Sequence, residues 1–372
     1  MQEKKLIGML GGGQLGLMFT EKAHIMGEKV LILDPDINCP AGKIADKFIN
    51  ADYLDLNALQ EIKRNCEVCT TEFENIPYKT LQVLENEINV FPNSNSLKIT
   101  QNRILEKNFL NDNNLPATKY FEINTKHELK FLNKIKDWPY ILKTSTFGYD
   151  GKGQTIVNNF DELQKAYNDN PSSYVLEKKV SLNKEVSQVA ACYKDEIIFL
   201  PISENVHINN ILHKSIIPAR IDNKSKKIIE DITNKIYKNL NYIGIICIEF
   251  FIDDKNNILV NEIAPRTHNS GHYSIEGCDV SQFEHQIKIL KNQSPVCSNL
   301  KYPSVMINLL GELWDDLKPD FEFANEENIF LHLYNKNLAK KGRKMGHITV
   351  IDDSVEYAEN IADDIFKNLI NK

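Results

Sequence analysis

Several classes of protein are excluded by what this 372-residue chain lacks. No uninterrupted apolar run approaches the roughly 20 residues that a membrane-spanning helix needs. The N-terminus passes from Met1-Gln2-Glu3-Lys4-Lys5 into a short strand and a glycine turn, with neither the apolar region nor the cleavage site of a secretory signal. Basic residues are not in excess. The net charge is −7, which disfavours wholesale binding to nucleic acid or an anionic membrane. A disulfide framework is missing as well: the seven cysteines fall at 39, 66, 69, 192, 247, 278 and 297, an odd number without framework spacing. Reduced thiols and a cytoplasmic location are therefore expected. Cys66 and Cys69 form one Cys-x-x-Cys, but no second pair or spaced histidine pair completes a zinc site, and their surroundings read as strand.

The length suits two or three domains with a sizeable core. Residues 5 to 93 alternate short apolar runs with helical patterns, predicting strands at 6–10, 30–33 and 68–73 and helices at 15–26, 56–64 and 80–87. Such alternation implies a parallel sheet covered by helices. The turn-rich Phe91-Pro92-Asn93-Ser94-Asn95-Ser96 reads as a break between domains. Beyond it come a helix carrying Arg103 and Lys107, a β-rich block from Tyr140 to about Ala191, and an amphipathic helix over 222–240. A helix after Ser281, strands at 305–309, 329–333 and 347–350, and a last amphipathic helix over 354–370 complete the chain.

The most informative stretch runs Ile-Cys-Ile-Glu249-Phe-Phe-Ile, a polar Asp-Asp-Lys-Asn-Asn turn, then Ile-Leu-Val-Asn261-Glu262-Ile-Ala-Pro-Arg266. It predicts an antiparallel hairpin, and a turn centred on Lys255 and Asn256 sets Glu249 opposite Glu262. Like charges paired across strands repel each other. A divalent cation removes the conflict, since Mg²⁺ takes one or two carboxylates together with substrate phosphates. A solvated hairpin with both acids facing water is the alternative.

Two glycine loops offer backbone to anions. Gly11-Gly12-Gly13-Gln14-Leu15-Gly16 joins a strand to a helix, where free N–H groups and the helix dipole suit negative charge. Asp34 ends the next strand at the spacing of a ribose-binding acid, so the turn fits a dinucleotide, another substrate's phosphate, or no ligand. Lys143 closes an apolar strand before Phe147-Gly148-Tyr149-Asp150-Gly151-Lys152-Gly153-Gln154. There the backbone can fold over phosphates while Lys143 and Lys152 offset their charge, although a Walker A helix start is missing. A plain hairpin tip with two solvated lysines is the alternative. Glu185 heads an alternating strand and suits a ribose hydroxyl or simple exposure. Lys336, Lys340, Lys341, Arg343 and Lys344 put five cations into nine positions, either a phosphate or carboxylate site or a solvated basic loop. Arg266, His268 and His272 closely follow the paired acids.

In this order the motifs resemble the ATP-grasp superfamily and, within it, the N5-carboxyaminoimidazole ribonucleotide synthetase family. The marks are Gly-Gly-Gly-Gln14-Leu-Gly, Thr-Glu72-Phe-Glu74-Asn75-Ile, the Gly148–Gly153 loop, Asn261-Glu262-Ile-Ala-Pro-Arg266-x-His268-Asn-Ser-Gly-His272, and Gly-Arg343-Lys344-Met-Gly-His347. The resemblance implies a mixed α/β and α+β chain: an N-terminal parallel-sheet α/β domain over 1–95, an ATP-grasp module over 96–298 with a β-rich lid at roughly 115–180, and a small C-terminal domain over 299–372, usually as a homodimer. It implies ATP contacts at Arg103, Lys143, Gly148, Tyr149, Asp150, Gly151, Lys152, Gly153 and Gln154, at the hinge Glu177, Lys178, Lys179 and Val180, and at Glu185, His207, Asn261 and Glu262. Mg²⁺ is implied at Glu249 and Glu262; period-two alternation turns Asn261 to the other face and keeps it from the metal. Aminoimidazole ribonucleotide is implied at Gln14, Glu72, Tyr149, Asp150, Arg266, Lys336, Arg343 and Lys344, with Arg266, His268 and Lys344 as the catalytic group around bicarbonate. The implied reaction carboxylates the 5-amino group of the ribonucleotide through carboxyphosphate, using ATP.

Thr267 stands where the family usually has proline, and Lys340-Lys341 where it has Arg-Pro. Three rival readings exist, one of them an inactive ATP-binding or scaffold protein, against which every expected catalytic residue type is present. Formate-dependent glycinamide ribonucleotide transformylases share Pro-Arg-x-His but continue Asp-Thr-Gly where this chain has Asn269-Ser270-Gly271. A nicotinamide-dependent oxidoreductase built on Gly11 to Gly16 and Asp34 leaves Lys143 and the paired glutamates without a task.

Overall fold

The computed structural model describes residues 5–146, 148, 153–168, 173–314, 319 and 321–370. The expected contacts at Tyr149, Asp150, Gly151 and Lys152 lie outside them. Strands β1 (Leu6–Leu10), β2 (Val30–Leu33), β3 (Lys47–Ile49), β4 (Cys66–Thr71) and β5 (Asn89–Val90) form a parallel sheet in the order β3-β2-β1-β4-β5. Helices α1 (Gln14–Ile25), α2 (Leu56–Asn65) and α3 (Tyr78–Glu85) connect them. Every residue of β2 is buried, as continuous apolar runs in a sheet covered on both faces require. The sequence pattern missed β3 and β5, because two or three residues carry no readable period.

The stretch read as a break between domains carries the start of a helix. Asn93 caps α4 (Ser94–Thr100) by accepting from the N–H of Ser96, and Asn102 caps α5 (Arg103–Asp112) through Ile104 and Leu105. Asn and Ser favour turns and helix starts for the same reason, a side-chain oxygen that satisfies nearby backbone N–H groups.

Within the stretch expected to form a lid, β6 (Tyr120–Ile123), β7 (Tyr140–Thr144), β8 (Gln154–Val157) and β9 (Tyr174–Lys178) make a four-stranded antiparallel sheet in the order β6-β9-β7-β8. Helix α6 (Phe160–Ala166) joins it through a core of its own around Tyr140, Leu142 and Leu176. Next come β10 (Leu182–Tyr193), β11 (Glu196–Phe199), β12 (Ser203–Ile208), β13 (Ile211–Ile217), α7 (Asn223–Asn239), β14 (Gly244–Asp253), β15 (Ile258–Ala264), α8 (Ser274–Gly277), α9 (Gln282–Leu290), β16 (Ser304–Leu310), β17 (Ile329–Leu333), β18 (Lys344–Ile351) and α10 (Val355–Ile370). Their strands make one nine-stranded sheet ordered β15-β14-β10-β12-β13-β16-β18-β17, with β11 on the side of β10. The sheet runs unbroken past residue 299, because β13 pairs β16 with Lys214 beside Ile307. The last three strands thus extend the central sheet. Phe283, Ile287 and Leu290 of α9, together with Tyr334, join the core under α1. That packing sets the first glycine turn beside the basic loop near the C-terminus.

Candidate active site

The hairpin of β14 and β15 sets Glu249 directly against Glu262. The register differs from the simple count. Ile252 pairs Ile258 and Phe250 pairs Val260, so the turn centres on Lys255 alone, and a bulge at Asn261 then restores the opposition of the two acids. Bulges re-aim side chains. This one overrides the expected alternation: the Asn261 amide lies 3.5 Å from Glu249 Oε2, on the face from which the sequence pattern had removed it. Burial alone would raise the Glu249 carboxyl, but the hydrogen bond from His268 Nε2 and the nearby His207 and Lys344 outweigh it and hold the group low. Glu262, exposed at the cleft, moves the other way, raised by partial desolvation and then by the charge of Glu249. Two opposed hard-oxygen donors, one of which resists ionising beside the other, fit a divalent cation. Among the described residues no group of three or more His, Cys, Asp or Glu makes a complete metal site, so such a cation would draw further ligands from substrate or water.

Above the hairpin, Lys143 ends β7 and is buried with its ammonium 3.0 Å from Glu177 Oε2 on β9. A second lysine, Lys107 on α5, lies 3.6 Å from the same oxygen and donates to the Asn261 carbonyl at 3.0 Å. The Thr118 hydroxyl donates to Glu177 at 3.1 Å. Sequence reading named Lys107 but gave it no task. Its signal is that it shares the buried face of α5 with Ile104 and Leu110, where an apolar side chain is the rule. Lys178, one residue on, turns away and caps the Asp137 carbonyl, while the N–H groups of Lys178 and Lys179 bond to Lys119 and Pro139. Arg103 holds the start of the second glycine loop, donating to the carbonyls of Thr144 (2.8 Å) and Gly148 (2.9 Å). At its other end Gly153 has φ +71°, and a Cβ there would lie 2.7 Å from Thr144 Oγ1. Only glycine closes this loop without strain. Gln154 pairs with Lys143 across β7 and β8.

The first glycine turn is already filled by the protein. Glu72 accepts from the N–H groups of Gly13 (2.6 Å) and Leu15 (3.0 Å), and Asp34 accepts from Gly12 (2.7 Å) and from the Tyr53 hydroxyl (3.0 Å). A pyrophosphate would have to displace two carboxylates, which removes the structural basis of the dinucleotide reading. Gln14, the first residue of α1, accepts from Lys336 Nζ at 2.7 Å; the same ammonium donates to the Lys344 carbonyl at 2.7 Å. Arg343 folds back onto the Leu338 carbonyl at 2.9 Å. Gln14, Glu72, Lys336 and Lys344 thus gather where the two ends of the chain meet.

The turn after β15 supplies the remaining expected groups. Arg266 Nε bonds to Glu74, whose carboxyl is held low by that guanidinium against the effect of burial. Glu74 was visible in the sequence only as part of a family mark. His268 is buried with Nε2 3.2 Å from Glu249 Oε1 and Nδ1 2.8 Å from the Ser270 hydroxyl. Gln282 grips its backbone on both sides, accepting from the His268 N–H and donating to its carbonyl, each at 2.9 Å. That grip stands in for the proline missing at Thr267. His272 faces elsewhere: burial pushes it well below its ordinary range, and its ring stacks near Phe283 and His347. On the far wall His207 Nδ1 pairs with Glu185 Oε2 at 2.7 Å. An open cleft runs between Glu74, Arg103, Glu106, Gly148 and Glu262.

The chain is similar to known proteins over nearly its whole length. Three family models match in order: a ribonucleotide synthetase preATP-grasp domain over residues 4–101, an ATP-grasp domain over 108–283, and a phosphoribosylaminoimidazole carboxylase C-terminal domain over 304–361. The N5-carboxyaminoimidazole ribonucleotide synthase of Staphylococcus aureus strain COL is 41% identical over 356 residues, spanning 95% of this chain and 94% of that one. The Staphylococcus aureus synthetase solved with ADP is similar with a TM-score of 0.90 at 39% identity, over 98% of each chain. The Aspergillus clavatus synthase solved with ADP and 5-aminoimidazole ribonucleotide is similar with a TM-score of 0.89 at 28% identity, over 100% of both chains.

Proposed function

The chain belongs to the N5-carboxyaminoimidazole ribonucleotide synthase family, and from that membership we propose that the cleft around Glu249, Arg266 and His268 carries out the ATP-dependent carboxylation of 5-aminoimidazole ribonucleotide. The chain is an ATP-grasp ligase. The observation that supports the assignment of its chemistry to this cleft is the opposed pair Glu249 and Glu262, with Arg266 and His268 beside it and the charge of Lys344 felt at Glu249.

Glu249 and Glu262 would hold Mg²⁺, which neutralises charge on the phosphoryl oxygens of bound ATP. Lys143 and the Gly148–Gln154 loop would lie along the phosphates, with Arg103 fixing where that loop begins. The Glu177–Val180 hinge, Glu185 and His207 would meet the base and ribose. On the other side of the cleft Gln14, Glu72, Lys336, Arg343 and Lys344 would take the ribonucleotide, the cations facing its phosphate. A bicarbonate oxygen would attack the γ-phosphorus as the bond to the bridging oxygen breaks and ADP leaves; the carboxyphosphate so formed would split into CO₂ and inorganic phosphate, and the exocyclic 5-amino nitrogen would take up the CO₂ and lose one proton, giving the N5-carboxylate. Arg266, held by Glu74, and His268, held by Gln282, frame the bicarbonate-derived group and keep water from it. The homodimer, the cytoplasmic location and the domain limits near residues 95 and 298 are proposals of the same standing.

ADP release from Mg-ATP and bicarbonate, with and without aminoimidazole ribonucleotide, tests the reading. Stimulation by the ribonucleotide that disappears in Glu262→Gln is expected. Turnover on formate and glycinamide ribonucleotide instead would overturn it in favour of the transformylase.

A further inference from the structure

His268 stands at the end of a line of hydrogen bonds that lies behind the cleft. Ser215 Oγ donates to Asn205 Oδ1 (2.8 Å), Asn205 Nδ2 to Ser187 Oγ (2.7 Å), and Ser187 Oγ to Ser270 Oγ (2.6 Å). Ser270 Oγ then lies 2.8 Å from His268 Nδ1. All of these side chains are buried. The line has a direction. An amide NH₂ only donates, so Ser187 accepts from Asn205; its hydroxyl also lies 2.9 Å from Ser203 Oγ, but it is the donor to Ser270 at the shorter 2.6 Å, which leaves the Ser270 proton for Nδ1. The backbone N–H of Ser270 also faces Nδ1, at 3.3 Å, and an amide N–H cannot accept. At the opposite edge of the ring Nε2 faces Glu249 Oε1 at 3.2 Å, and a carboxylate cannot donate. Both edges therefore require the same arrangement, a lone pair on Nδ1 and a proton on Nε2.

The local backbone is built for this. His268 caps the short 3₁₀ turn of residues 269–271, which carries Ser270 back beneath its own imidazole. Gly271 admits the turn, since a Cβ there would lie 2.6 Å from Gln282 Oε1, the atom that holds the His268 N–H.

We propose that Ser270 is a positioning residue that fixes His268 in its Nε2–H tautomer, so that the imidazole meets the bicarbonate-derived group as a hydrogen-bond donor and not as a base. The inference rests on the placement of His268 beside that group given above. Because Nδ1 is satisfied from behind, Nε2 keeps its proton whichever acceptor faces it, Glu249 or an anionic substrate oxygen.

The test is ¹⁵N NMR of histidine-labelled enzyme at fixed pH, with His268→Gln identifying the resonances of His268. The expected wild-type signature is a protonated Nε2 and an unprotonated Nδ1. Ser270→Ala leaves Nδ1 only the longer 3.3 Å backbone N–H, so it should admit a measurable share of the Nδ1–H tautomer and lower kcat by about tenfold, with KM for ATP unchanged. Ser187→Ala, which removes the donor to Ser270 and leaves the histidine turn intact, should move the signal the same way should Ser270→Ala fail to fold. A protonated Nδ1 in the wild type, or an unchanged tautomer in the folded variants, would overturn the proposal. Wild-type enzyme without ribonucleotide-dependent turnover would remove the functional reading, whereas the tautomer signature is read without any substrate.

Discussion

Replacing Glu177 with glutamine would leave two buried ammonium groups without their shared anion. Glu177 is 2% exposed, and its Oε2 lies 3.0 Å from Lys143 and 3.6 Å from Lys107. Burial alone would raise its carboxyl, yet the two lysines and Thr118 hold it at about 2 against an ordinary 4.5. A fall from 4.5 to about 2, at about 1.36 kcal/mol per pH unit, is worth roughly 3 kcal/mol. Breaking a buried pair by removing one partner costs about 3–5 kcal/mol, so the two routes agree. The sign of the pH dependence follows. The folded-state value is lowered, so this stabilisation is complete above about pH 4.5 and is lost as pH falls toward 2. Hydrogen exchange at neutral pH gives the local readout. Protection in β7 and β9 should fall by about a hundredfold in Glu177→Gln, while β1 and β4 keep theirs. Lys107→Met should cost less, because Lys143 and Thr118 remain on the acid. A loss below about fivefold in Glu177→Gln would show that the lysines do not depend on this carboxylate, and the reasoning would fail.

Glu262→Gln relieves the like-charge pair with Glu249, so without Mg²⁺ its Tm should rise slightly, by the equivalent of about 0.2–1 kcal/mol, while stabilisation by Mg-ATP is lost. A lower Tm in that thermal-shift experiment would refute the repulsion. Gly13→Ala puts a Cβ 2.4 Å from Glu72 Oε1, and urea unfolding should register a loss of at least about 1 kcal/mol as the turn opens. A thiol reagent should titrate one cysteine in the native enzyme, Cys297, and the other six only after unfolding, since all six are buried. A second fast thiol would contradict that packing.

Much of the site was legible because its chemistry is written in residues that are contiguous in the chain. The hairpin acids, the lysine before the second glycine loop, and Arg266 with His268 are each marked by a local motif, and the structure brings them into one cleft. Other residues were hidden for physical reasons. Lys107 and Glu106 are ordinary members of a helix until tertiary packing buries them, and burial then raises the Glu106 carboxyl to about 8. The role of Glu72 depends on a contact between residues 59 positions apart, which no local pattern encodes. Sequence placed Asn261 on the wrong face because strict alternation cannot anticipate a bulge. The same limit applied to β3 and β5, whose pairing is decided by neighbouring strands and not by their own few side chains.

The bulge at Asn261 also bears on what the hairpin tolerates. On its outer side the strands are in register about the turn at Lys255, and that tip can lengthen by a pair of residues without moving either acid. Deleting Asn261 would remove the bulge and leave Glu262 opposite Glu249, but it would take away the amide that lies 3.5 Å from Glu249 Oε2. The opposition of the two acids is therefore indifferent both to the length of the tip and to the extra residue, and what the bulge adds is a neutral amide on the face where the cation would sit.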